Sequence, residues 1–167
     1  MLIIVNKMSQ LNFRQLMDVY EEANLQQGRL LFPHESPARW SLLAEQDFHQ
    51  YLRECFFGTP GAIYALWQES GRYVSALRLE PYFDGLLIEA LETLPAERGK
   101  GYAGKLLTAV KGHYCEVRLY AHVDKKNLPS MRVHERCGFY RILEHAVYAD
   151  GSVLSSSCTY CSQITNK

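Results

Sequence analysis

A junction between a strand and a helix near the middle of the chain carries the residues best suited to bind a ligand. The segment 91–107 reads LETLPAERGKGYAGKLL, with glycines at 99, 101 and 104 and basic residues at 98, 100 and 105. Glycine lets the main chain approach a ligand closely, and the first N–H groups of a helix are unpaired and favour negative charge. The segment therefore predicts an anion-binding turn. A tight turn with basic side chains facing solvent is the alternative.

The glycine pattern alone fits more than one anionic ligand. Gly99, Gly101 and Gly104 satisfy G-x-G-x-x-G, the pattern of dinucleotide-binding domains, and Asp124 follows about 20 residues later. Such a domain builds a second half of alternating strands and helices after this turn, and only 63 residues follow Gly104. The intervening segment 95–98 also separates the turn from its strand. A dinucleotide-dependent oxidoreductase is therefore a distant alternative.

Residues on both sides of the turn fit another pattern better. The turn and its flanks contain Thr93-Leu94-Pro95, Arg98-x-x-Gly101-x-Ala103 and Leu106-Leu107. A second motif follows downstream, formed by Asn127, Ser130, His134, Gly138 and Phe139. In this order the two motifs resemble those of the GNAT superfamily of acyl-coenzyme A N-acyltransferases, in which tyrosine usually stands at the position of His134. The family fold parallels the element order over nearly the whole chain.

The resemblance implies acetyl-coenzyme A as the co-substrate. Its pyrophosphate would accept hydrogen bonds from the main chain of residues 98–103, and Gly104 would let the helix begin close by. The pantetheine arm would pair with the main chain at Thr93 and Leu94, as an added strand does. Asn127 is similar to the family residue that hydrogen-bonds the pantetheine region, and it also suits a helix cap. The implied cofactor-binding residues are Thr93, Leu94, Arg98, Gly99, Lys100, Gly101, Tyr102, Ala103, Gly104 and Asn127.

Acetyl transfer to an amine needs a proton acceptor, because alkyl amines have a pKa near ~10, and a main-chain donor for the oxyanion. Family members often carry a catalytic carboxylate on the strand before the turn, where this chain has Glu89 and Glu92. Strict alternation places the two on opposite faces, so at most one should face the site. Glu92 is favoured for its proximity, and a strand bulge would exchange the faces. His134 is either the acid that protonates the leaving thiolate or a polar helix residue.

The spacing of apolar residues predicts the elements that position these groups. A short strand precedes two helices, of which the first ends at Gly28 and the second begins at Ser36-Pro37. Three strands lead to the glycine turn; a helix, a strand, a short helix and a hairpin with a type I′ turn at Asp150-Gly151 follow it. The predicted fold is a single α/β domain over residues 1–167 in the order β-α-α-β-β-β-α-β-α-β-β. It has a mixed, partly splayed sheet of about seven strands with helices on both faces.

Composition restricts the classes of partner. The 18 basic and 18 acidic residues cancel, which argues against nucleic acid bound through bulk charge. No apolar run approaches the ~18–20 residues that span a bilayer, and the N-terminal apolar run is too short for a signal peptide. We therefore expect a cytoplasmic protein with no membrane partner. The histidines lack ligand spacing, and Cys158 and Cys161 face opposite sides of a predicted strand, so no metal is expected.

The sequence thus predicts an acyltransferase that moves an acetyl group from acetyl-coenzyme A to a primary amine of a small-molecule or peptide acceptor. A non-catalytic acyl-coenzyme A-binding or regulatory module is the alternative, since it would use the same turn without a competent base. Peptide N-termini, lysine side chains, polyamines, aminoglycosides and small metabolites all stay open as acceptors. A homodimer is common among proteins of this kind, and no interface is visible in the sequence.

Overall fold

The computed structural model describes residues 1–164. In chain order its α-helices and strands are β1 (Leu2–Val5), α1 (Phe13–Val19), α2 (Glu21–Leu31), α3 (Pro37–Glu54), β2 (Ile63–Glu69), β3 (Arg72–Tyr82), β4 (Gly85–Thr93), α4 (Tyr102–His113), β5 (Arg118–Asp124), α5 (Leu128–Arg136), β6 (Phe139–Leu143), β7 (Ala146–Val147), β8 (Val153–Leu154) and β9 (Ser157–Ser162). Seven strands form one sheet in the order β1-β2-β3-β4-β5-β9-β6, and β7 and β8 form a separate ribbon. No helix among these residues is both long and apolar enough to cross a membrane.

The sheet is covered by helices on both faces, as predicted. Ala76 of β3 packs into a cluster with side chains from α1 and α3, and its neighbour Leu77 packs into a second cluster with side chains from α4. Among the described strands, only β4 and β5 pair in parallel. A dinucleotide-binding domain has a mostly parallel sheet, so that alternative is wrong.

The strands β4 and β5 separate halfway along their length. They pair only where Gly85–Ile88 lies beside residues 118–121, although β4 continues to Thr93 and β5 to Asp124. Beyond Ile88, the edge of β4 that faces β5 has no strand partner among residues 1–164. The predicted splay is therefore present, and it opens an unpaired strand edge directly before the glycine turn.

A β-bulge interrupts β4 within this open part. Glu89 pairs with Arg78 of β3 and Glu92 pairs with Ala76, so three steps along β4 match two along β3. The extra residue is accommodated at Ala90, whose φ of +49° is left-handed. Because Arg78 and Ala76 lie on one face of β3, the bulge brings Glu89 and Glu92 to that same face. The expectation that these two carboxylates lie on opposite faces of the sheet is therefore wrong.

The N-terminal helices differ from the predicted pattern. The first predicted helix breaks at Tyr20, which ends α1 and precedes α2. Gly28 lies inside α2 rather than at a helix end. A Cβ there would come within 2.2 Å of the main-chain oxygen of Trp40 in α3, so the glycine permits close contact between the two helices. The prediction for Ser36-Pro37 is confirmed, since they begin α3.

The closing hairpin is present with an altered tip. β6 and β9 pair antiparallel, as predicted, and the β7–β8 ribbon lies between them in the chain. A type I′ turn requires positive φ at both central residues, and at Asp150-Gly151 only Gly151 has it. The type I′ prediction is therefore wrong. The ribbon packs against the sheet, where Tyr82 at the end of β3 donates a hydrogen bond to the main-chain oxygen of Val147.

Candidate functional site

A cleft of about 540 Å³ lies between the open end of β4, the glycine turn, the first turn of α4 and one face of α5. Of the residues singled out from the sequence, those that line it are Glu92, Thr93, Arg98, Gly99, Gly101, Tyr102, Ala103, Gly104 and Asn127. The other four, Glu89, Leu94, Lys100 and His134, lie outside its lining. The structure therefore brings residues of the two separate sequence motifs together around one cleft.

Two glycines give the turn its shape. Gly99 has a φ of +78° and Gly101, which directly precedes α4, has a φ of +81°. Both values are left-handed and favour glycine. A Cβ at either position would meet no protein atom within 4 Å, so protein packing is not the reason for glycine here. The main chain of the turn is bare on the side where a ligand would approach.

The turn presents a row of unpaired main-chain donors. Among the described residues, none of the N–H groups of residues 99–104 donates a hydrogen bond to protein. They lie at the N-terminus of α4, where the helix dipole favours an anion. The N–H of Arg98 differs, since it donates to the main-chain oxygen of Pro95 at 3.3 Å. The donor row predicted for residues 98–103 is therefore corrected to residues 99–104.

Of the two residues predicted to contact the pantetheine arm, Thr93 and Leu94, only Thr93 lies in the cleft. Thr93 lines the cleft, and its carbonyl oxygen accepts a hydrogen bond from Nε of Arg98 at 3.3 Å. Leu94 is buried, and its N–H donates to the main-chain oxygen of Val74 at 2.9 Å. Leu94 therefore cannot offer that N–H to a ligand, and its assignment to the pantetheine is corrected.

Asn127 and Arg136 bring α5 to the cleft. Oδ1 of Asn127 accepts a hydrogen bond from the N–H of Ser130 at 3.1 Å, which caps the helix. The side-chain NH₂ of Asn127 has no partner among the described residues, so the cap leaves it free to donate. Arg136 lines the cleft one turn beyond Val133 and adds a cation that sequence reasoning missed. Ser130, Val133 and Arg136 are spaced three residues apart and therefore share one face of the helix. This spacing could have indicated Arg136 from the sequence.

The basic side chains of the turn have acidic partners. Arg98 contacts Glu22 at 2.6 Å and Glu92 at 3.7 Å, and its side chain is 45% exposed. Lys100 donates to Glu97 at 2.8 Å, which raises the pKa of that lysine. Lys100 thus points along the surface instead of into the cleft. The anion-binding capacity of the turn rests mainly on its main chain, with Arg98 and Arg136 beside it.

The two strand carboxylates are both half-buried. Burial raises the pKa of Glu89, an effect partly opposed by Arg78 at 3.8 Å. Burial likewise raises the pKa of Glu92, partly opposed by Arg98. The guanidinium of Arg78 lies over three aromatic rings, those of Phe48, Tyr51 and Phe56, at 5.3–5.9 Å. A carboxylate whose pKa is raised toward neutrality is better able to hold a proton taken from an amine.

His134 lies in the core rather than in the cleft. Its side chain is 2% exposed and packs against the rings of Phe139 and Tyr160. Nδ1 lies 2.8 Å from the main-chain oxygen of Ser130, to which it donates, and Nε2 is buried without a hydrogen-bond partner in the part of the chain that the structure describes. Burial lowers the pKa of this imidazole. The histidine side chain is also shorter than the tyrosine that the family usually has at this position. The structure therefore does not place the imidazole where it could protonate a thiolate in the cleft.

His122 is a titratable group that sequence reasoning did not single out. Glu89 and His122 directly follow Ile88 and Ala121, the last parallel pair of β4 and β5. Nε2 of His122 lies 3.1 Å from the main-chain oxygen of Val147, and burial lowers the pKa of the ring. Every second residue of β5, Leu119, Ala121 and Val123, packs into the core cluster beside α4, and this spacing of apolar residues was the signal that His122 faces the other side of the sheet. Among residues 1–164, no cluster of three or more potential metal ligands exists.

Comparison with known proteins identifies the family to which this arrangement belongs. The model of the acetyltransferase (GNAT) family matches residues 16–139, which include the open strand, the glycine turn and both motifs. The chain belongs to the GNAT family. It is therefore an acyltransferase, and its mostly antiparallel seven-stranded sheet with helices is that of the GNAT fold. A sequence search of curated proteins gives no match.

Solved structures share this GNAT fold at low sequence identity. An N-acetyltransferase from Staphylococcus aureus has a TM-score of 0.65 at 13% identity, covering 95% of this chain and 98% of its own. A PaiA N-acetyltransferase from Thermoplasma acidophilum, solved with coenzyme A, has a TM-score of 0.64 at 9% identity and covers 98% and 99%. The ribosomal-protein-S18-alanine N-acetyltransferase from Escherichia coli has a TM-score of 0.60 at 15% identity and covers 100% and 96%.

Proposed function

We propose that this protein is a single-domain N-acetyltransferase, over residues 1–167, that transfers an acetyl group from acetyl-coenzyme A to a primary amine. The observation that carries the proposal is the row of unpaired N–H groups at residues 99–104, next to the open edge of β4. A diphosphate suits the first feature and an extended chain with amide groups suits the second. The GNAT structure from Thermoplasma acidophilum that contains coenzyme A supports this ligand.

The proposed orientation of the ligand follows from the two ends of the cleft. The diphosphate lies at the glycine turn, with Arg98 and Arg136 beside it. The pantetheine arm extends along β4 from Thr93 toward Ile88, where pairing with β5 closes the opening. Asn127 donates its side-chain NH₂ to that arm while its oxygen caps α5. The reactive end of the ligand therefore lies near residues 89–91, at the closed end of the splay.

Glu89 is the proposed general base, with Glu92 as the second candidate. Glu89 is the first residue after the closed end of the splay, whereas Glu92 lies three residues nearer the turn and is occupied with Arg98. Burial raises the pKa of Glu89, which suits a group that receives a proton from an ammonium at neutral pH. The amine nitrogen then attacks the thioester carbon, and the thiolate leaves. No side chain of α5 is assigned to protonate the thiolate.

The acceptor is proposed to approach from the face of the sheet that carries α3. On this face Glu80 and Glu89 lie near Tyr51, whose hydroxyl donates to Oε1 of Glu80 at 3.4 Å. Arg78 supplies one positive charge beside these two carboxylates. An amine entering as an ammonium ion is therefore attracted to this face.

Two measurements test the proposal in sequence. Thermal shift with acetyl-coenzyme A, with NAD as the control ligand, should show stabilisation by acetyl-coenzyme A alone, because ligand binding to the folded state raises its stability. Thiol release is then measured with a panel of peptide, polyamine, aminoglycoside and small-metabolite amines. Stabilisation by acetyl-coenzyme A with no thiol release from any amine would favour the non-catalytic binding module.

Glu89→Gln and Glu92→Gln form a matched pair for the assignment of the base. Both variants should bind acetyl-coenzyme A as the natural protein does. Glu89→Gln should lower kcat by about 10²–10³-fold, as expected for loss of a general base, and Glu92→Gln by less than about fivefold. The remaining rate in Glu89→Gln should rise with pH, because the free amine then supplies its own neutral form. The reverse ranking of the two variants would transfer the role to Glu92.

A further inference from the structure

The bulge in β4 places a main-chain carbonyl where no strand can pair with it. Ala90 is the extra residue of the bulge and has a left-handed φ of +49°. Alanine rarely adopts this conformation, so neighbouring groups must hold it. The bulge also lies at the closed end of the splay, where the proposed function places the reactive end of the ligand.

Tyr20 makes the contact that holds the bulge. Its hydroxyl donates a hydrogen bond to the carbonyl oxygen of Ala90 at 2.6 Å, across 70 residues of sequence. The side chain is 4% exposed and packs against Phe48 and Tyr64. Because Tyr20 lies at the break between α1 and α2, both helices fix its position. Its hydroxyl is therefore a rigid anchor for one peptide group of β4.

Fixing the Ala90 carbonyl also fixes the next N–H. The described residues contain no cis peptide bond, so the N–H of Leu91 points opposite to the Ala90 carbonyl, away from Tyr20. Leu91 lines the cleft. We propose that Tyr20 is a positioning residue, which aims the N–H of Leu91 at the carbonyl oxygen of the bound acyl group. This inference rests on the proposed function and adds to it the group that orients the oxyanion donor.

A purely structural role for Tyr20 predicts a different result. Loss of a buried hydroxyl that only satisfies a carbonyl would lower stability and leave ligand selectivity unchanged. A positioning role concerns only the acyl group, which acetyl-coenzyme A has and coenzyme A lacks. The ratio of the two dissociation constants therefore isolates the proposed contact, and it needs no knowledge of the acceptor.

The test compares Tyr20→Phe with Tyr73→Phe. Tyr73 is buried in the same core cluster, and its hydroxyl oxygen accepts a hydrogen bond from the N–H of Asn12 at 3.3 Å, far from the bulge. Titration calorimetry measures the binding of acetyl-coenzyme A and of coenzyme A to each protein. Thiol release with the best amine of the panel adds kcat and KM.

The natural protein and Tyr73→Phe should bind acetyl-coenzyme A at least about fivefold more tightly than coenzyme A. In Tyr20→Phe this preference should fall to within about twofold of unity, with coenzyme A binding unchanged and kcat lowered about tenfold. A preference retained in Tyr20→Phe, or absent from the natural protein, would overturn the positioning role. Failure of the natural protein to bind either ligand would instead overturn the proposed function.

Discussion

Replacing Gly101 by alanine separates the shape of the glycine turn from its use in binding. The residue has a φ of +81°, and a Cβ would meet no protein atom within 4 Å. The cost to folding is therefore the left-handed conformation alone, about 1–2 kcal/mol. For a chain of this length, a loss of that size lowers Tm by roughly 2–8 °C.

Gly71 provides a matched control for this strain. It lies in the turn between β2 and β3, has a φ of +80°, and an added Cβ would also meet no protein atom within 4 Å. Gly71→Ala and Gly101→Ala should therefore lose similar stability. They should differ in ligand binding, because only at Gly101 does the new methyl group project into the cleft.

The expected difference is measured by calorimetric titration with acetyl-coenzyme A. Gly71→Ala should bind like the natural protein. Gly101→Ala should bind at least tenfold more weakly, which corresponds to about 1.4 kcal/mol. Coenzyme A should show the same loss, because the affected group is the diphosphate. If Gly101→Ala binds within twofold of Gly71→Ala, the main chain of the turn does not hold the diphosphate and the proposed function loses its main support.

Two further predictions concern stability. Gly28→Ala should lower the free energy of unfolding by about 1–3 kcal/mol, because its Cβ would clash with the main chain of Trp40. Gly112→Ala, in an open position of α4, should raise the free energy of unfolding by up to about 1 kcal/mol. Equal melting temperatures of the two variants would refute this prediction. Burial lowers the pKa of His134 below its unfolded value, so stability should fall as the pH is lowered through that value, by at most about 1.4 kcal/mol per pH unit. His134→Phe should flatten this dependence in urea titrations and keep kcat within about twofold; a large loss of kcat would restore His134 as an acid.

The glycine turn was predictable because its geometry is local. Glycine at positions 99 and 101 indicates a left-handed φ, and the unpaired N–H groups follow from the start of α4. The correction at Arg98 has a local cause as well, since Pro95 begins a single helical turn whose carbonyl accepts the Arg98 N–H. The predicted row of main-chain donors therefore differs from the observed one by a single position.

The environment of the candidate catalytic residues was not predictable, because it depends on distant segments. The relative faces of Glu89 and Glu92 depend on the register with β3, which the alternation within β4 does not contain. The burial of His134 depends on Tyr160, which lies in β9 near the end of the chain and packs against the imidazole ring. A residue type suggests a role in proton transfer, and long-range packing then decides whether the group reaches the reacting atoms.

The bulge in β4 affects both the candidate catalytic carboxylates and the strand edge next to the glycine turn. One extra residue at Ala90 turns both strand carboxylates toward the α3 face, while the edge of β4 that faces the splay stays free of strand pairing. The proposed base and the strand edge proposed to bind the ligand therefore lie on different sides of the same strand and do not compete for space. A regular strand could not do this, because moving Glu92 to the face of Glu89 requires breaking the alternation between them. Tyr20 donates a hydrogen bond to the residue at which the alternation breaks, and under the proposed positioning role a buried hydroxyl between two N-terminal helices acts on a site 70 residues later in the sequence.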